Sequence, residues 1–130
     1  MKYLCLICAE RVMEHMEPAE AAAHFEEYRA LIDELVASGH YVGCNRLQPR
    51  ETAVTVRVRN GQASTTDGPF AETKEQLGGY FVIEARDIGE AARIAARIPG
   101  ARYGSVEVRP IADDAATQRL LEAGAAAAPA

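Results

Sequence analysis

Two apolar stripes at helical period, each bracketed by short runs of strand character, leave few folds open to this chain. The first joins Ala21, Phe25, Tyr28, Ile32 and Leu35, behind Pro18 and ahead of Ser38-Gly39. Proline suits a first helical turn and glycine a left-handed stop, so one helix is predicted between them. The second stripe joins Ile88, Ala91, Ala92, Ala95 and Ile98. Asp87, with Glu90 three residues on, has capping-box spacing at its start, and Pro99-Gly100 ends it. Lys2 to Cys8 reads as a buried strand, Tyr41 to Leu47 as a weaker one ended by Pro49, and Gly78 to Ala85 as an aromatic and β-branched strand. Val106 and Val108 alternate with Glu107 and Arg109 before Pro110, the pattern of a last strand with one solvated side. Between the two halves, Val54, Val56 and Val58 alternate with Thr55, Arg57 and Arg59, which predicts that the valines face the core. Asn60-Gly61 tolerates the positive φ angles of a two-residue turn, so Gln62 to Thr66 is the returning strand.

The order is β-α-β-β-α-β with an inserted hairpin, a ferredoxin-like α+β fold. Two helices cover only one face of a single antiparallel sheet. The other face therefore needs water, a ligand or a second subunit, and a homodimer packed sheet to sheet is the preferred answer. At 130 residues the chain can bury one core without disulfides or metal. Residues 1–111 are read as the domain, and residues 112–130, with Leu120, Leu121, Gly124 and an alanine run, as a short helix and Ala-rich tail.

A net charge of -5 sets the long-range field against phosphate backbones and anionic lipid, so neither direct nucleic acid nor membrane is an expected partner. No apolar run approaches the roughly 18 residues of a membrane span. The opening run is too short for a signal segment, and three cysteines, an odd number, fit a reducing compartment. The expected location is the cytoplasm.

The run Thr66-Asp67-Gly68-Pro69-Phe70-Ala71-Glu72-Thr73-Lys74-Glu75-Gln76-Leu77-Gly78-Gly79 closely resembles the signature of the YCII-related family in its DGPF-motif branch. Met1-Lys2-Tyr3-Leu4, Leu47-Gln48-Pro49 and Tyr103 to Pro110 support it in the right order over about residues 1–111. The resemblance implies a dimeric α/β barrel of ferredoxin-like subunits, a histidine and aspartate pair in a pocket, and gene neighbourhoods beside sigma factors. The family's helix-one histidine falls near Glu27 or Tyr28, which makes Tyr28 a candidate ligand contact; His24 lies one turn earlier on a similar face.

Asp67, before Gly68-Pro69, is the first candidate for chemistry, because its carboxylate at a strand end can act as acid/base or anchor a ligand. The competing reading is turn chemistry, with the side chain capping nearby N–H groups and Phe70 anchoring the loop. Glu72 and Lys74 are candidate ligand contacts, against a charge run that merely faces water. Of His15, His24 and His40, His24 edges the first stripe and is the candidate catalytic partner of Asp67. Arg57, Arg59 and Arg109 share the outward sides of their strands, where the open readings are a pocket for an anionic ligand, a reach across a dimer interface to Glu107, or solvation of the sheet. Cys5 and Cys8 form a C-x-x-C, but residues three apart in a strand point to opposite faces, so buried thiols are expected and no cofactor or metal. Two functions stay open. One is a small-molecule enzyme or binder with its pocket at the DGPF loop; the other is a non-catalytic dimeric regulatory or interaction module linked to sigma-factor signalling.

Overall fold

Strict alternation in β1 (Lys2–Ala9) turns Tyr3, Cys5 and Ile7 to one side and Leu4, Leu6 and Cys8 to the other, and this strand is the hub of the main sheet. The computed structural model describes residues 1–10, 15–69 and 74–127. After β1 come α1 (Pro18–Ala37), β2 (Tyr41–Arg46), β3 (Val54–Arg59), β4 (Gln62–Asp67), β5 (Gln76–Glu84), α2 (Ile88–Ala95), β6 (Gly104–Pro110) and α3 (Ala115–Ala127). The main sheet runs β2-β5-β1-β6 with every pair antiparallel, the strand order of the ferredoxin-like fold. β3 and β4 form a separate two-stranded sheet.

Helix ends follow their local chemistry. Gly39 stands at φ +80, while its N–H donates to Val36 O and that of His40 donates to Leu35 O, a Schellman stop for α1. Asp87 caps α2 by accepting from Glu90 N–H at 2.8 Å, and the Glu90 carboxylate accepts from Arg86 N–H, one residue earlier than a standard capping box would have it. Asn60 and Gly61, at φ 53 and 74, make the tight β3–β4 turn.

Both helices pack on the Tyr3 side of the sheet, where Leu35, Ile83, Ile98 and Cys5 are the largest fully buried side chains. Burial pushes the Cys5 thiol up to about 11, which leaves it an inert part of the core. Three expectations need correction. The valines of β3 do not face the core: Val54, Val56 and Val58 are 59%, 61% and 57% exposed, because the hairpin pairs with itself and not with the main sheet. On α2 the buried residues are Ala91, Ile94 and Ala95 followed by Ile98, while Ile88 and Ala92 face out. On α1 the stripe is turned by about one residue: His24, Leu31 and Leu35 are buried, Tyr28 and Ile32 lie beside them, and Phe25 is half exposed.

Candidate functional site

Because His24 takes a position that an apolar residue would normally fill, α1 carries an imidazole into the space between helix and sheet. A cavity of about 280 Å³ lies there. Its floor is Ile7, Phe81, Gly79, Gly100 and His24, and its mouth is Phe25, Arg46, Leu47, Pro49, Arg50 and Leu77. Gly100 shapes the floor by close approach: a Cβ there would stand 2.6 Å from Ile7 Cγ2 and 2.9 Å from Tyr28 Oη. Gly79 is tied in the same way, since its Cβ would meet the Asn45 carbonyl oxygen at 2.8 Å.

His24 is 7% exposed, and its Nδ1 is buried with no hydrogen-bond partner among the described residues. A buried polar atom left in this way costs on the order of 1–3 kcal/mol. Tyr28 and Tyr103 approach the imidazole edge-on, with centroids at 5.1 and 5.4 Å. Burial holds the imidazole below its ordinary 6.5; Glu27 pulls the other way and Arg102 adds to the depression. Burial raises the Tyr28 hydroxyl, partly offset by the Gly100 N–H that donates to it at 3.1 Å. At neutral pH the wall thus offers a neutral imidazole, with one donor and one acceptor nitrogen, beside a protonated phenol. Such a pair can orient a polar ligand or move a proton.

The residues singled out from sequence fall in different places. His24 and Tyr28 line the cavity together. Asp67 ends β4 exposed, opposite Val54 in register, and is not among the residues lining the cavity. Gly68 follows at φ +93, its N–H donating to Ala53 O and its carbonyl accepting from Thr55 Oγ1, both at 2.7 Å, so the Asp-Gly step is a bend tied to the neighbouring strand β3 and the residue before it. Lys74 is exposed and does not line the cavity; its Nζ stands 3.4 Å from Glu10, which does. Glu72 and Phe70 lie outside the described residues. His15 is exposed, and His40 Nδ1 stands 2.7 Å from Glu84 O, tying the end of β5 to the start of β2. Arg109 pairs with Glu107 of its own strand at 2.5 Å. Cys5 and Cys8 are free thiols, and among the described residues no three His, Cys, Asp or Glu side chains are grouped to hold a metal ion. Sequence reasoning missed Cys44, Arg46 and Phe81 as cavity residues. The α1 spacing of His24, Tyr28, Leu31 and Leu35 was the readable signal for His24, since positions four, three and four apart share one face.

Among the described residues no helix is long and apolar enough to cross a membrane. The profile of the YCII-related domain matches residues 1–114. An uncharacterised protein of Rhizobium meliloti (strain 1021) is 45% identical over 69 residues, 52% of this chain and 56% of that one, so the chain spans just over half of that curated relative. Among solved structures, 5-chloro-2-hydroxyhydroquinone dehydrochlorinase from Burkholderia phenoliruptrix AC1100, in complex with 2,5-dihydroxybenzoquinone, aligns with a TM-score of 0.44 at 13% identity over 88% of this chain and 96% of that one.

Proposed function

This chain belongs to the YCII-related domain family, and we propose that its cavity binds a small organic molecule, with His24 and Tyr28 as the polar contacts and His24 as acid/base. The observation that carries the reading is the orphaned Nδ1 of a buried histidine on a cavity wall. Such a group calls for a functional or structural reason, and the cavity that His24 lines is where a polar ligand would meet the imidazole. The Thr66 to Gly79 run supports the DGPF-motif branch, and its far end, Gln76 to Gly79, lines the cavity. The test is a screen of small ring compounds followed through the His24 imidazole resonances. Binders are expected to shift those resonances and to fail against His24→Leu. Binders that leave His24 unmoved would overturn the reading.

We further propose a homodimer closed over the sheet face that neither α1 nor α2 covers. Leu4 and Leu6 lie there beside Val82 and Tyr80, a partly exposed apolar strip on the face opposite Tyr3 and Cys5. Sedimentation of the purified chain is expected to give twice the monomer mass, and Leu6→Glu to return it to the monomer, because a charge would be buried in the interface. A monomeric wild type removes this proposal and leaves the cavity reading standing. The exposed valines of the hairpin, Val54, Val56 and Val58, favour the second reading of an interaction module.

A further inference from the structure

Charges at the cavity mouth do not cancel. Glu10 is offset by Lys74 at 3.4 Å, and Arg50 by Glu51 at 3.6 Å. Arg46 forms no ion pair among the described residues; its guanidinium instead lies over the Phe25 ring, 5.5 Å from the centroid. In a chain of net charge -5, a cation placed on an aromatic shelf at the edge of an apolar hollow is an unusual local field. A guanidinium with no carboxylate partner among the described residues keeps its N–H donors for a ligand carboxylate.

The floor below is built for a ring. Phe81 and Tyr28 stack with centroids at 6.2 Å and planes 28° apart, and Tyr103 stands edge-on to His24. Flat apolar walls favour planar aromatic guests through offset and edge contacts. Two polar side chains, His24 and Tyr28, line the same cavity. A guest must therefore offer a polar group at one end, a flat body in the middle and a negative charge at the other.

We infer that the ligand is a monocyclic aromatic acid, its ring against the cavity-lining faces of Tyr28 and Phe81, its ring substituent on His24, and its carboxylate on Arg46. The inference rests on the cavity being the ligand site. Arg46 acts by charge and sets specificity, whereas His24 holds the buried end.

The experiment compares 4-hydroxybenzoate with 4-hydroxybenzamide, which share ring and hydroxyl and differ in charge, by titration at pH 7 with the His24 resonances as reporter. The acid is expected to bind about tenfold more tightly than the amide to the wild type, the scale of one charge-assisted contact. Arg46→Gln is expected to erase that preference, Arg46→Lys to keep most of it, and added salt to narrow it. Arg46 is exposed, so both variants keep the fold, which their amide spectra verify. Equal binding of acid and amide, with Arg46→Gln unchanged, overturns the aromatic-acid assignment and leaves the site reading intact. Failure of both compounds to move His24, alongside other binders that do, also overturns it. Failure of every ring compound to move His24 removes the site reading and this inference together.

Discussion

Phe81→Ala is expected to destabilise the fold by about 3–5 kcal/mol, the range for removing a buried aromatic side chain. Phe81 is 2% exposed in β5, opposite Cys5 of β1 and Cys44 of β2, and its ring meets both Tyr28 and Tyr41. Neighbours normally recover part of such a loss by collapsing into the hole. Here the hole would open into the existing cavity, so little collapse is available and the upper half of the range is expected. Urea unfolding with an unchanged m-value measures it. A loss below about 1 kcal/mol would mean that the ring is not packed between the two tyrosines.

For His24→Leu the expected change has the opposite sign. The substitution removes an orphaned polar atom and keeps an apolar side chain of similar bulk at a buried helix position, so stability at pH 7.5 should rise by about 1–2 kcal/mol. Ligand binding should disappear in the same variant, which separates it from damage by unfolding. The pH dependence adds a second readout. Since the folded imidazole sits below its ordinary 6.5, the unfolded chain takes up that proton first as pH falls. Wild-type stability should thus drop as pH falls from about 6.5 to the folded value and then level off. The leucine variant lacks this component, so its advantage should widen between pH 7.5 and pH 5.5. A variant less stable than wild type at both values would show that the imidazole is satisfied within the fold and needs no ligand.

The elements of this fold were legible wherever a local interaction dictates them. Asp87 and Glu90 declare the start of α2 because cap and first turn lie three residues apart, and Asn60-Gly61 declares its hairpin because few other pairs accept two positive φ angles. The strand pattern of Tyr80 to Ile83 and the helical period of α1 have the same standing. The site was half legible. His24 and Tyr28 emerged as candidates, but Asp67 was placed with them only by chain position, and the fold carries it to the end of a hairpin.

What the sequence alone determined was therefore the order and kind of the elements, since caps, turns and periodicities act over a few residues. Tertiary structure alone decided which faces those elements bury. The valines of β3 alternate as a core strand does, yet remain outside because their strand found its partner only in β4. A turn of α1 by one residue carried His24 inward and Phe25 outward, a choice that belongs to the packing of helix on sheet and not to the helix itself. Burial is a property of what lies opposite a side chain, and no window along the chain contains that.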